Sequence, residues 1–393
     1  LKWSRMIVEW LCQLLACFLR FFGRQNLILM EVENGTRENV EAVLKEMLQR
    51  KSFSKYKFVL ISMHPEELRH LENRQVRVET RVWYGDSRKA LRRFAWLKLR
   101  AAMIIDENLQ IQKKASNTIH VYLSHGSPVK SIRESYNCTP DTDYMLSQAP
   151  FWNPINEYEL RIPVERMVTL GFPRNDALFS DKSDLLNLFD QKFNKLVVWY
   201  PTFRQHRIHE AVIPQHSSFS IPLIHDEAAA RRINELAAQY GILLVVKPHP
   251  VQDLSLIREL QLDHLIFIYD DFFVSNGITA HDFLGKTDAL ITDYSSIIFD
   301  YLLTGKPVAL TIEDYEQYKE QQGFAIDFKM LKSCSTILDT PEDFAAFFRD
   351  LVEGNDPLKE KREEVMRLTN TYLDGNSTKR VVDWMEELLQ RPR

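Results

Sequence analysis

At 393 residues the chain is longer than one hydrophobic core usually serves, which predicts two domains of roughly 150 to 200 residues. Its 45% apolar and 26% charged residues, with 12 glycines and 16 prolines, exclude a disordered or low-complexity protein. The net charge of -4 argues against a nucleic-acid binder, and Cys12, Cys17, Cys138 and Cys334 form no CxxC pair, which favours a reducing compartment and no structural zinc.

Met6 to Phe22 is strongly apolar but interrupted by Glu9, Gln13 and Arg20. A bilayer span needs about 20 apolar residues, and Phe21-Phe22-Gly23-Arg24 offers no small-residue cleavage site. Residues 1–25 are therefore expected to form a helix lying in the membrane surface, in preference to an anchor span or a helix packed on the protein. From residue 27 short apolar runs alternate with amphipathic stretches. Leu27–Met30, Tyr56–Ser62, Ala101–Ile105 and Ile119–Leu123 read as buried strands, residues 36–50 as a helix, and His64-Pro65-Glu66-Glu67 as a helix start. After a polar connection near 180–192 the rhythm restarts. Lys195–Tyr200, Ile242–Val246, His264–Ile268, Ala289–Thr292 and Val308–Thr311 read as strands, and Asp226–Tyr240 as a helix ended by Gly241. Such alternation predicts parallel sheets covered on both faces, an α/β class with two Rossmann-like domains at 26–185 and 190–375. Pro341-Glu342-Asp343 opens a helix, and a last helix is expected within 376–393.

Arg81 to Arg100 holds seven basic residues and one acid, Asp86, with Trp83, Tyr84, Phe94 and Trp96 interleaved. A basic helix carrying aromatics suits an anionic membrane surface. A solvated face whose aromatics enter the core is the alternative.

The segment Thr292-Asp293-Tyr294-Ser295-Ser296 ends a buried strand and opens a helix, so Ser295 and Ser296 can offer hydroxyls and free N–H groups to an anion; serine is also an ordinary helix cap. Val246-Lys247-Pro248-His249 and Tyr200-Pro201-Thr202-Phe203-Arg204 are two more strand ends of the same half. Together Thr202, Arg204, Lys247, His249, Asp293, Ser295 and Ser296 could receive a pyrophosphate. In the N-terminal half, Ser124-His125-Gly126-Ser127-Pro128-Val129-Lys130 puts a histidine at a strand end beside a glycine that admits a ligand, a placement suited to a general base.

These segments, with Gly171-Phe172-Pro173-Arg174-Asn175-Asp176, resemble in order and spacing the CDP-glycerol glycerophosphotransferases that prime or polymerise teichoic acids, and relatives making capsule polymers. The resemblance covers about residues 26–335. It implies a GT-B-like fold with a cleft between an N-terminal acceptor domain and a C-terminal donor domain. Its reaction is attack of an acceptor hydroxyl on the phosphorus next to glycerol, releasing CMP. His125 would be the base, and His249 would contact or protonate the phosphates. Thr202, Arg204, Lys247, Asp293, Ser295 and Ser296 would hold the donor, while Gly126, Lys130, Arg174 and Asp176 would lie on the acceptor side or support it. CDP-glycerol is a substrate, so neither a cofactor nor a metal is expected. The implied partners are a CDP-activated polyol, a lipid-linked or polymeric acceptor and the cytoplasmic face of the cell membrane. Against the family's common His-Gly-Thr-Pro-Leu-Lys this chain has His-Gly-Ser-Pro-Val-Lys, and Ser124 stands where a tryptophan often precedes the histidine.

Rival readings are a CDP-ribitol transferase, a GT-B sugar transferase releasing a nucleoside diphosphate, and a non-catalytic membrane polymer-binding protein. Asp141-Thr142-Asp143 has the spacing of a metal-binding pair, but Asn137-Cys138-Thr139-Pro140 before it reads as a turn and no His or Glu cluster accompanies it.

Overall fold

The computed structural model describes residues 26–32, 39–80, 88–108, 117–133, 142–181, 183–202, 221–248, 260 and 262–391. The expected membrane-surface helix at 1–25 lies outside them. Among the described residues no helix is long and apolar enough to cross a membrane.

The chain divides into two compact units. One combines residues up to His125 with Ser135–Asp176 and Asp374–Arg393; the other holds Gly126–Glu134 and Ala177–Leu373. The chain thus passes from one unit to the other directly after His125 and again after Asp176, and the last helix belongs to the first unit.

The first unit is built on a parallel sheet of β1 (Leu27–Glu31), β2 (Lys57–Ser62), β3 (Val76–Thr80), β4 (Met103–Asp106), β5 (Ile119–Tyr122), β6 (Tyr144–Ser147) and β7 (Met167–Thr169), in the order β3-β2-β1-β4-β5-β6-β7. The central strands are apolar on both faces, as a sheet with helices on both sides requires. Edge strand β3, Val-Arg-Val-Glu-Thr, is half exposed. The helix Asn39–Gln49 buries Val40, Val43, Leu44 and Met47, and in the same core Ser377–Gln390 buries Val381, Val382, Met385 and Leu388. Each such side chain contributes about 1.5–3 kcal/mol. The last helix is therefore part of the first core.

The second unit carries β8 (Lys195–Trp199), β9 (Ile242–Val246), β10 (Leu265–Phe267), β11 (Ala289–Thr292), β12 (Val308–Leu310) and β13 (Thr336–Ile337), all parallel, in the order β10-β9-β8-β11-β12-β13. The helices Glu227–Gln239 and Pro341–Glu353 cover one face, burying Ile233, Leu236, Phe344 and Phe348. Asp226 caps the first of them through Ala229 N, and Gly241 ends its turn at φ +63°. Thr340 and Asp343 form a capping box at the start of the second.

Of the basic stretch, residues 81–87 lie outside the described residues, and Arg88–Arg100 is a helix. Phe94 and Leu97 pack on a core of Leu29, Val59, Ile61, Ala101 and Ile104. Trp96 remains 43% exposed, with the Arg100 guanidinium 4.8 Å from its ring centre. The aromatics of this segment thus divide, Phe94 toward the core and Trp96 toward the surface.

Candidate functional site

In a doubly wound sheet, ligands bind beyond the carboxyl ends of the strands where the strand order reverses. In the second unit that point lies between β8 and β11, and their ends carry Thr202 and Asp293–Ser296. Asp293 is fully buried. Its Oδ2 accepts Thr202 N at 2.8 Å, and its Oδ1 accepts Thr202 Oγ1 and Tyr294 N, each at 2.5 Å. A buried carboxylate is tolerable only when so satisfied. Thr202 and Asp293 thus brace the two strand ends against each other. Thr292 Oγ1 adds a bond to Tyr200 O at 2.8 Å.

Ser295 and Ser296 precede the helix Ile297–Tyr301. Ser296 makes no side-chain capping bond, and Ile297 N approaches Ser295 Oγ only at 3.5 Å. The helix has five residues, so its dipole is small, and any attraction for an anion comes from the local N–H groups and hydroxyls. Lys247, at the end of β9, holds its ammonium 3.0 Å from Asp270 Oδ1 and over the Tyr200 ring at 5.7 Å. Arg204 and His249 lie outside the described residues.

Tyr294 anchors this strand end from below. Its ring stacks on Tyr318 at 3.9 Å between centroids, its hydroxyl donates to Asp314 Oδ1 at 2.8 Å, and Phe324 lies 5.6 Å away. Phe324 also forms an antiparallel bridge with Lys130, and Ala325 N donates to Val129 O at 2.9 Å. The segment Gly126–Lys130 is therefore tied to the aromatic group that supports Asp293–Ser296. Ser127 and Val129 are buried there.

In the first unit, His125 follows β5 and is exposed. Its Nδ1 lies 3.2 Å from Glu107 O. A carbonyl only accepts, so Nδ1 carries the proton and Nε2 is the basic nitrogen. Ser124 before it has φ +61° and Gly126 after it φ +149°, so the turn is left-handed on both sides of the imidazole. Arg174 Nη1 donates to His125 O at 2.8 Å, and Asn39 Nδ2 donates to Ser124 O at 2.8 Å. Behind β5, His120 Nε2 lies 3.0 Å from Asp106 Oδ2, both groups buried.

Asp176 caps the last helix. Its two oxygens accept Ser377 N at 2.8 Å and Thr378 N at 2.7 Å. Burial raises the Asp176 pKa above the ordinary carboxylate range, opposed by the bonds from Thr378 and Ser377. Of the residues expected to support the acceptor side, Arg174 touches the backbone of His125 and Asp176 secures a helix. In the Asp-x-Asp segment, Asp141 lies outside the described residues, and Asp143 Oδ2 accepts His120 N at 2.8 Å.

Asn39 and Glu107 were not singled out from the sequence. Asn39 opens a helix, where a polar residue reads as an ordinary cap, and Glu107 follows a strand end with no motif around it. Tyr294 lies inside the recognised motif but reads there only as an aromatic between polar residues.

Comparison with known proteins agrees with the motifs. The family model for CDP-glycerol:poly(glycerophosphate) glycerophosphotransferase matches residues 14–387. A teichoic acid glycerol-phosphate primase of Bacillus spizizenii is 29% identical over 57% of this chain and 52% of its own length. One from Bacillus subtilis is 21% identical over 95% of this chain and 97% of its own length. The chain thus spans about half of the first relative and nearly all of the second. The solved structure of the wall teichoic acid polymerase TagF superposes with a TM-score of 0.71 at 16% identity, covering 98% of both chains. That likeness concerns the fold, which is GT-B-like as expected.

Proposed function

Because the chain belongs to the CDP-glycerol:poly(glycerophosphate) glycerophosphotransferase family, we propose that it transfers glycerol phosphate from CDP-glycerol to a hydroxyl of a lipid-linked or polymeric acceptor, releasing CMP. The match over 14–387 carries this reading, since it takes in both His125 and the Asp293–Ser296 strand end. The product would be a teichoic acid or capsule-like polymer.

In this reading Nε2 of His125 takes the acceptor proton as the hydroxyl oxygen attacks the phosphorus bonded to glycerol. The bond from that phosphorus to the bridging oxygen breaks, and CMP leaves with the oxygen. Such a transfer depends on positioning and on neutralising charge at the leaving group. Lys247, Ser295, Ser296, Arg204 and His249 supply the neutralising groups, and the Thr202–Asp293 brace holds the two strand ends. The reaction needs no redox or carrier cofactor. The exposed face of Arg88–Arg100, with Trp96 beside Arg100, supports work at an anionic membrane surface.

The test is incubation with CDP-glycerol, CDP-ribitol and a nucleoside diphosphate sugar in the presence of a polyol-phosphate acceptor. Release of CMP from CDP-glycerol is expected. CMP from CDP-ribitol alone would change the polyol, and nucleoside diphosphate release from the sugar donor alone would overturn the reaction class.

A further inference from the structure

Ser124 adopts a left-handed backbone at φ +61°. For a residue with a Cβ that conformation is strained and persists only where the surroundings over-determine it. Five hydrogen bonds provide that determination, three of them made by the first two residues of one helix. Asn39, fully buried, donates Nδ2 to Ser124 O at 2.8 Å and accepts Arg174 N on Oδ1 at 3.0 Å. Both partners are backbone groups of fixed polarity, so the orientation of the amide is determined. Arg174 in turn donates Nη1 to His125 O at 2.8 Å. Glu107, whose carbonyl holds His125 Nδ1 at 3.2 Å, accepts Val40 N on its own side chain.

An asparagine at a helix start usually turns its oxygen to its own helix. Here that oxygen is bound to a backbone group 135 residues away, and its amide nitrogen to one 85 residues away. The amide is used for a long-range tie.

We infer that Asn39 is the positioning residue of the His125 base: it holds the Ser124 carbonyl directly, and holds the His125 carbonyl through Arg174, so that the imidazole is presented with Nδ1 on Glu107 and Nε2 toward the reacting hydroxyl. This rests on the proton-acceptor role proposed for His125. Only asparagine serves. Aspartate has the same shape but no donor for Ser124 O, alanine removes both bonds of the amide, and glutamine is one methylene too long for the space.

The test is Asn39→Asp in the full chain, with two readouts. Turnover with CDP-glycerol should fall about 100-fold, the scale expected when a reacting group is displaced by about 1 Å, while CDP-glycerol affinity by calorimetry stays within about twofold. Nitrogen-15 NMR of histidine-labelled protein, with the His125 signals assigned by difference against His125→Ala, should show the Nδ1–H tautomer in the parent and a mixture in the variant. Parental turnover together with an unchanged tautomer overturns the inference. Should Asn39→Asp fail to fold, Arg174→Met removes the side-chain bond to His125 O while leaving the Arg174 backbone N–H on Asn39, and is expected to lower turnover at unchanged donor affinity; no loss there is equally contrary. If the parent releases no CMP, the proposed transfer fails while the NMR readout still decides on Asn39.

Discussion

In the proposed reaction an exposed imidazole on a backbone held from several sides would take a proton without moving. His125→Ala should therefore lower CMP release by about 100- to 10,000-fold, the usual contribution of a general base, with CDP-glycerol affinity unchanged by calorimetry. Retained turnover would remove His125 from that role. Asp293 behaves differently, because it holds the site together. Its two oxygens receive three donors, and Asp293→Asn turns one acceptor into a donor facing another donor. That change should destabilise the second unit by about 1–3 kcal/mol and weaken donor binding, read as a lower melting temperature and a higher Kd. An unchanged melting temperature would show that the brace is dispensable. The strand-end positions of His125, Thr202, Lys247, Asp293 and Ser295 were legible in the sequence because each follows an apolar run, and an apolar run locates the end of a parallel strand. Asn39 and Glu107 were not, because their roles depend on partners 85 and 67 residues away that no local pattern announces.

The last helix shows how an element is fixed by a distant one. Asp176 caps Ser377–Gln390, and Gly171, at φ +79°, lies so close to it that an added Cβ would clash with Ser377 Oγ. Asp176→Ala should cost about 1 kcal/mol, seen as a lower melting temperature. The pH dependence follows from the raised pKa. A carboxyl whose folded pKa lies above its unfolded value contributes stability that is full below the unfolded pKa and is lost as pH rises through the folded one. The stability advantage of the parent over Asp176→Asn should therefore shrink as pH is raised above the ordinary carboxylate range. An advantage that grew with pH would reverse the assignment.

The helix Arg88–Arg100 invites a separate test. Trp96→Ala and Arg100→Ala should reduce co-flotation with phosphatidylglycerol vesicles, and added salt should weaken the parent's binding, because each basic residue near an anionic surface contributes about 1 kcal/mol. Vesicle binding that ignores both substitutions would assign the exposed face to plain solvation.

At this level too the sequence is unevenly legible. Long apolar strands such as β9 were evident, whereas β3 alternates polar and apolar residues at a sheet edge, and β7 and β13 have three and two residues. Such short or edge strands carry too little apolar pattern to separate from loops.

At the scale of the molecule, two parallel sheets were foreseeable from the repeated strand and helix rhythm, but the path of the chain through the two units was not. Composition changes little at 126, 135, 177 or 374, where the chain passes between the units, since both are α/β and equally apolar. The motif Gly126–Lys130 belongs with the unit of Asp293–Ser296, although it directly follows His125 of the other. A boundary set in the middle of a motif leaves no mark in composition.

In the proposed reaction, attack at the phosphorus next to glycerol, with CMP as the leaving group, would separate this protein from a sugar transferase on the same fold. Phosphorus-31 NMR of CDP-glycerol incubated with the protein and a polyol-phosphate acceptor follows both products at once. Loss of the diphosphate signals should be matched one for one by CMP and by a new phosphodiester on the acceptor; appearance of CDP with no new phosphodiester would contradict glycerol phosphate transfer.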